Sequence, residues 1–331
     1  MIADGLLGNW LWWDGAWYLQ IAAHGYTYHP HQQSSVAFFP LYPLVVRVVG
    51  WLVPGGHAVA AILVTTVSGA IALVLFHRWC VERMPVHAAR TAVVLLAVYP
   101  YAWFLYGAAY SDALFLSLTL GAFLLVERDH PLAAGLLGAL ATAARPTGVA
   151  VLIGLVAVAL HRRRQGGRAG PGVLLAAGGL GVWCLWLAVR FGNPFAFVET
   201  EGAPGWNQAP GPHTWLKIEL FNNLTHAPVT GWIRLIPQAV LCAAFLAAIP
   251  AVNRRFGWGY AGFVAAAVAI PTLATSDFMG AGRYVLLAFP VFACLGARIA
   301  DHRVARTSII TASSGLLLVT TSLFASGYLL T

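Results

Sequence analysis

The chain has 331 residues, 60% of them hydrophobic and only 9% charged, with a formal net charge of +8. A soluble domain carries roughly 25% charged residues, so an ordinary soluble enzyme is excluded, and apolar runs of about twenty residues, each long enough for one helix across a bilayer, recur along the length. The positive charge does not form a nucleic-acid face either: Arg78, Arg83, Arg90, Arg128, Arg162, Arg163, Arg164, Arg168, Arg254, Arg255, Arg298, Arg303 and Arg306 fall in alternate short loops, the pattern of cytoplasmic loops in a polytopic membrane protein.

In chain order, residues 1–9 are short, carry Asp4 and lack the basic start of a signal peptide. Residues 10–24 read as an amphipathic helix at the membrane interface, with Trp10, Trp13 and Trp17 three and four apart on one face. Asp14 lies among these aromatics and is the only acid between Asp4 and Glu82. An ionisable group so close to lipid is a functional candidate; the plainer alternative is a solvated or helix-capping Asp in an aromatic belt. Residues 25–37 are polar and irregular, with His29, Pro30 and His31. Residues 38–53 are apolar, interrupted by Pro40 and Pro43, and carry Arg47. That segment is short for a span and reads as a second interfacial helix.

Spans are expected at about 57–77, 88–106 and 110–127. Between the last two lie Tyr99-Pro100-Tyr101 and Tyr110-Ser111-Asp112. There Ser111 could cap the next helix, with Asp112 in its first turn. Residues 131–144 and 146–161 form a pair hinged at Arg145-Pro146, where the residue before proline avoids helical geometry. Fourteen helical residues cover about 21 Å of a roughly 30 Å core, so Arg145 is recessed and should face a polar cavity or an anion. A span at 172–190 leads to a long outer loop, 191–232, and further spans follow at 235–252, 257–275, 283–299 and 307–328. Arg283-Tyr284 lies at the outer side, where the alternative role of Arg283 is snorkelling. The expected architecture is all-α: about ten transmembrane helices plus interfacial helices in the first outer loop. Its units are a first extracytoplasmic loop (1–56), a first transmembrane bundle (57–190), a long loop (191–232) and a second bundle (233–331). The four cysteines are scattered, and no disulfide or cysteine metal site is expected.

Four stretches together carry a resemblance: Trp13-Asp14, Ile21-Ala22, Gly25-Tyr26 and Ala37-Phe38-Phe39-Pro40 in the first loop; Tyr110-Ser111-Asp112-Ala113-Leu114-Phe115; Ala143-Ala144-Arg145-Pro146-Thr147-Gly148; and Arg283-Tyr284. The chain resembles the PIG-V family of GPI mannosyltransferases and its bacterial relatives, multi-span enzymes of the GT-C class. Thr147 departs from the family's usual Asn. The family also places a spanning helix before Trp-Asp, so a native chain is expected to begin with one more span or to start outside. The resemblance implies transfer of mannose from a polyprenyl-phosphate donor to a glycolipid or cell-envelope acceptor, at the extracytoplasmic face of the plasma membrane, with Asp14 as catalytic acid–base residue.

The chemistry agrees with the residue types. A phosphate leaving group departs without protonation, so one carboxylate suffices to take the acceptor's proton, and forked arginine donors suit the departing phosphate. Asp14 is thus the expected base and Arg145 and Arg283 the phosphate partners, with Asp112, Tyr284, Trp13 and His24 as substrate-binding candidates. One sugar between them would set Asp14 about 7–13 Å from the two guanidinium groups. No Rossmann or P-loop fingerprint for a nucleotide sugar is present. His24, His29 and His31 with Asp14 could ligate a divalent metal, but the loop is irregular and lacks His-x3-His spacing, and no metal or other cofactor is expected. The competing class is a transporter or flippase of lipid-linked sugar, which should show an internal repeat and midplane charges.

Overall fold

The computed structural model describes residues 8–167, 170–226 and 229–328. Asp4 and Arg168 lie outside the described residues. Within them the protein is helical, without strands. α1 (Asp14–His24) and α2 (Leu41–Leu52) form the first-loop unit. Arg47 of α2 donates to the carbonyls of Ile21 (3.1 Å) and Ala22 (2.6 Å). Those carbonyls lie in the last turn of α1, where helix acceptors lack partners and a cation is favoured. The expected tryptophan face does not form. Trp13 precedes α1 with a left-handed φ of 57°, so Trp10 lies off the helix and packs toward Phe324, at 6.4 Å between ring centroids. Trp17 instead stacks on Phe38.

α3 (Gly56–Val81), α4 (Val86–Ala97), α5 (Asp112–Glu127), α6 (Pro131–Ala144) and α7 (Val149–Arg164) follow. The expected span 88–106 is helical only to Ala97; the chain then passes Tyr99-Pro100 and a short 3-10 turn at Ala102–Leu105, because proline cannot continue the hydrogen-bond ladder. α6 ends where Arg145 adopts extended φ/ψ of −155° and 149° before Pro146, as the pre-proline restriction requires. α8 (Gly178–Phe191) leads into the long loop, which folds into α9 (Ala196–Glu201), α10 (Pro212–Trp215) and α11 (Ile218–His226). α12 (Val229–Ala247), α13 (Ile249–Phe256), α14 (Trp258–Ala274), α15 (Ala281–Tyr284), α16 (Phe289–Ile299) and α17 (Arg303–Ala325) complete the chain.

By length and composition, five described helical stretches can cross a membrane, and a sixth can if the segments Ala281–Leu287 and Phe289–Ile299, bent by 78°, count as one broken span. Four other apolar helices are shorter, among them α4, α6 and α14. The hydropathy estimate of about ten spans therefore counts segments that are individually short or bent. One aromatic and aliphatic core joins α3, α4, α5, α7, α14 and α16 through Phe76, Trp79, Phe123, Phe263 and Phe289. A smaller cluster around Tyr18, Tyr42 and Val46 seats α1 and α2 on α3.

Candidate active site

Asp14 is the first residue of α1, and its backbone N–H donates to the Tyr110 hydroxyl (3.2 Å), which in turn donates to the Trp12 carbonyl (3.3 Å). Ala109 N–H donates to the Trp10 carbonyl at 2.9 Å. Residues 10–14 are therefore laid along residues 108–111, which connect the fourth helix to α5. The hydroxyls of Tyr18 and Ser111 meet at 3.0 Å. Ser111 precedes α5 but makes no side-chain cap, so its hydroxyl serves this cross-link rather than the helix end.

Arg283 lies in the short helix α15, just before the bend that leads into α16. The peptide just before it is gripped on both sides: Gly282 N–H donates to Gln238 Oε1 of α12, and its carbonyl accepts from the Tyr99 hydroxyl, each at 2.9 Å. A Cβ at Gly282 would lie 2.5 Å from the Tyr101 ring, so only glycine fits. From this mount Arg283 reaches Asp14, Nη1 to Oδ2 at 2.9 Å. Its guanidinium carbon lies 5.1 Å from the ring centres of Tyr110 and Tyr284 and 5.5 Å from that of Phe104. Stacked aromatic faces suit a desolvated arginine.

A second pair lies behind the first. Buried Arg145 is ion-paired with buried Asp112. The guanidinium of Arg145 sits 5.0 Å from the Tyr284 ring centre, so both arginines lie against Tyr284. Asp112, Arg145, Thr147, Arg283 and Tyr284 line one small cavity of about 10 Å³, room for a water molecule. Two buried polar atoms of these pairs have no hydrogen-bond partner among the described residues, Asp112 Oδ2 and Arg283 Nε. Buried polar atoms are normally satisfied, so these two are an available acceptor and an available donor.

The structure thus brings together Asp14, Asp112, Arg145, Arg283 and Tyr284. Arg145 faces Asp112, an anion, and Arg283 faces Asp14 rather than snorkelling to water. The expected separation of 7–13 Å is overturned for Arg283, which touches Asp14 directly. Opposite charges in a partly desolvated place attract strongly enough to close on one another. Trp13 is next to Asp14 but 41% exposed. His24 is not part of the cluster: it is exposed at the far end of α1, about 15 Å of helix from Asp14. Among the described residues no three His, Cys, Asp or Glu side chains converge as metal ligands. His31 turns instead to Glu199, with Nδ1 at 3.5 Å from Oε1.

One further group escaped the sequence reading. The long loop folds back on the first loop. Glu199 of α9 accepts from the Tyr28 hydroxyl (2.7 Å), Asn193 Nδ2 (2.9 Å) and His31 N–H (3.2 Å), and these donors, Tyr28 first, hold its carboxyl below the usual range. Gln33 Nε2 reaches the Pro204 carbonyl at 3.2 Å. Trp206 meets both Trp17 and Phe38, at 5.9 Å between centroids. This docking brings Glu201 toward the Asp14–Arg283 pair. Burial, and then the like charge of Asp14, push its carboxyl up from an ordinary 4.5 to about 7, against a smaller lowering by Arg283. In sequence Glu201 is one of three acids in a polar loop; only the folding of that loop distinguishes it from Glu199 and Glu219.

Beside the site a far larger apolar groove of about 680 Å³ runs between α2, α6 and α8, lined by residues such as Leu44, Leu136, Leu140, Ala143, Val182 and Trp186. Ala143 stands two residues before Arg145, so the groove leads toward the Arg145 end of the site.

The fold is similar to that of the GT-C oligosaccharyltransferase of Archaeoglobus fulgidus, in its structure with Zn and sulfate and in that with an inhibitory peptide and a dolichol-phosphate. The TM-score is 0.50 in both, at 15% identity, over 98% and 97% of this chain and 49% and 52% of those chains. In sequence, the chain is 34% identical over 175 residues to GPI alpha-1,6-mannosyltransferase 2 of Cricetulus griseus and 32% identical over 175 residues to that of Homo sapiens. Each match takes in 50% of this chain and 34% of the relative, so the chain spans about a third of the length of the curated relatives it matches. The family model described as Mannosyltransferase (PIG-V) matches residues 1–164, the half that holds Asp14, Asp112 and Arg145. On that match the chain belongs to the PIG-V mannosyltransferase family.

Proposed function

We propose that this protein is an integral-membrane glycosyltransferase of the GT-C type. It moves mannose from a polyprenyl-phosphate donor to a lipid- or cell-envelope-linked acceptor by inverting displacement. The observation that carries this reading is the meeting of Asp14–Arg283 and Asp112–Arg145 beside Tyr284, in a chain with only 9% charged residues.

In the reaction the acceptor hydroxyl oxygen attacks C1 of the sugar. The bond from C1 to the phosphate oxygen breaks, and its electron pair leaves with the polyprenyl phosphate. The hydroxyl proton passes to a carboxylate of the site. The sugar carbon passes through an oxocarbenium-like state, as in glycoside hydrolysis. Arg145 and Arg283 are suited to the departing phosphate, because two planar forks can share its oxygens. The unpartnered Arg283 Nε supplies one such donor. The cavity between them is too small for a pyranose, so the site has to widen when the sugar enters, with Arg283 keeping Asp14 on Nη1 and turning its Nε to a phosphate oxygen. The apolar groove beside Arg145 suits the polyprenyl chain, with its phosphate end at the arginine.

The side of the membrane follows from the same charges. The loops opposite the site hold Arg78, Arg83, Arg128, Arg162, Arg163 and Arg164. The positive-inside tendency supports a cytoplasmic position for those residues and, with it, an extracytoplasmic site at the cell membrane. The test is an assay of purified protein with radiolabelled polyprenyl-phosphate mannose and a panel of membrane glycolipids. Label should appear in a glycolipid. Transfer from a nucleotide sugar instead would overturn the donor assignment.

A further inference from the structure

Glu201 stands near the reacting groups without a structural task that accounts for it. Glu199, two residues earlier on α9, is consumed by Tyr28, His31 and Asn193. The carboxylate of Glu201 has no hydrogen-bond partner among the described residues, while its backbone carbonyl accepts from Gln208 N–H at 2.8 Å and closes the turn 201–208. Within that closed turn Trp206 sits edge-on to Trp17, 5.9 Å between centroids. Trp17 is three residues after Asp14 and hence on the same face of α1. The turn is fastened on its other side as well, by Gln208 Oε1 accepting from Ser276 N–H at 2.6 Å. These contacts hold the turn 201–208 against α1, with Glu201 near enough to Asp14 and Arg283 for their charges to act on it.

We propose that Glu201 is a second acid–base carboxylate of this site, the group that takes the acceptor hydroxyl's proton while Asp14 is engaged with Arg283. The inference rests on the glycosyltransferase reading and deepens it. When the acceptor oxygen bonds to C1 and the donor's phosphate leaves with the electron pair of the broken bond, the released proton goes to a Glu201 oxygen. The division of labour follows from charge. Asp14 Oδ2 is occupied by Arg283 Nη1 at 2.9 Å, whereas the carboxylate of Glu201 has no such partner among the described residues. The charged groups that face Glu201 are Asp14 of α1 and Arg283 of α15. Burial and Asp14 raise its carboxyl to about 7, close to the working pH that general-base catalysis favours. As the base, Glu201 must be ionised, so turnover should rise with pH through that region and then level off.

The experiment measures donor KM and kcat from about pH 5 to 9 for the full chain and for Glu201→Gln, Glu201→Asp and Asp14→Asn, with polyprenyl-phosphate mannose and the best glycolipid acceptor. The expected result is a loss of about 10²-fold or more in kcat for Glu201→Gln with little change in donor KM, the usual scale for a missing acid–base group. The rise near neutrality should vanish in that variant and return in Glu201→Asp. An active wild type beside a Glu201→Gln variant of unchanged rate and unchanged profile overturns the role of Glu201. A slower variant that keeps the wild-type profile overturns it too, since that is the mark of a loop contact. Absence of transfer from every donor by the wild type overturns the glycosyltransferase reading itself. Infrared difference titration separates the two failures: a protonated carboxyl band lost near neutral pH, present in the wild type and missing in Glu201→Gln, locates the ionisation without any turnover.

Discussion

Two clusters of arginines and carboxylates lie at opposite ends of α5, and they are built to different ends. Asp112 is the first residue of that helix and Glu127 the last, about 22 Å apart along its axis. At the far end Glu127 is ion-paired with Arg83 and accepts from the Tyr260 hydroxyl at 2.6 Å, and Trp79 Nε1 donates to that hydroxyl at 2.8 Å. Arg83 also lies 4.3 Å over the Trp79 ring. Glu82 pairs with Arg128 and Asp129 with Arg162. Arg78 also reaches Glu82, at 3.9 Å; these contacts bind α3, α5, α7 and α14 to one another, and four arginines meet three acids. At the site end the balance is reversed: Asp14, Asp112 and Glu201 surround Arg145 and Arg283. The first arrangement holds helices together. The second leaves one carboxylate in excess, which is of no use for packing and is what a reaction releasing a proton needs.

The sharpest way to break this contrast is to remove one carboxyl from each end. Asp14→Asn should lower transfer by about 10³-fold, because Arg283 loses the carboxylate that holds it in place for the departing phosphate. It should melt close to wild type, because Asp112 and Glu201 still surround Arg283. Glu127→Gln should do the reverse. Unpairing the partly buried Arg83 costs about 1–3 kcal/mol, so the variant should unfold earlier yet turn over normally per folded molecule. Thermal unfolding in detergent beside the transfer assay reads both. A stable, fully active Asp14→Asn removes Asp14 from the mechanism.

The arginines should show a somewhat smaller difference. Arg145→Ala and Arg283→Ala should each cost about 3 kcal/mol in kcat/KM for the donor, the scale of a lost contact to a developing anion. Lysine should recover only part, as a point charge without the planar fork. Gly282→Ala should imitate the loss of Arg283 without touching it, because the added methyl meets the Tyr101 ring. The expected cost is about 1–3 kcal/mol in stability, accompanied by a fall in turnover as the guanidinium is pushed off Asp14. Wild-type turnover in Gly282→Ala would show that the mount of Arg283 tolerates movement.

Much of this was legible in the sequence, and the reason is physical. In a chain with 9% charged residues, an acid or arginine away from the short basic loops is conspicuous, so Asp14, Asp112, Arg145 and Arg283 could be named before the fold was known. The bounds of α6 were equally legible, since Pro131 starts it and Arg145-Pro146 ends it. Pairing was not. Nothing local says that Arg283 closes on Asp14, 269 residues away, rather than standing one sugar apart. The tryptophan stripe misled because Trp13 leaves the helix just before α1 begins. His24 misled because a position in the first loop is not a position in the site. Glu201 was hidden for the opposite reason, being a loop acid among loop acids until Trp206 docks on Trp17.

The smallest expected effect bears on the excess carboxylate itself. A carboxyl that ionises near 7 in the folded protein and near 4.5 when unfolded binds its proton more tightly in the folded state. Between those values the folded chain holds more protons than the unfolded one, so stability falls as pH rises across that window, and the loss is complete above it. Glu201→Gln cannot ionise and escapes this loss. At about pH 4.5 or below, wild type and variant should melt together; at about pH 8 the variant should melt higher, by a few degrees at most. The comparison between the two proteins cancels every other titrating group, including the ion pairs of the far cluster. A residue retained at a cost to stability is characteristic of a functional site. Parallel melting profiles for the two proteins across the whole range would mean that Glu201 ionises like an ordinary surface acid, and the contrast between the two ends of α5 would then rest on Asp14 and Asp112 alone.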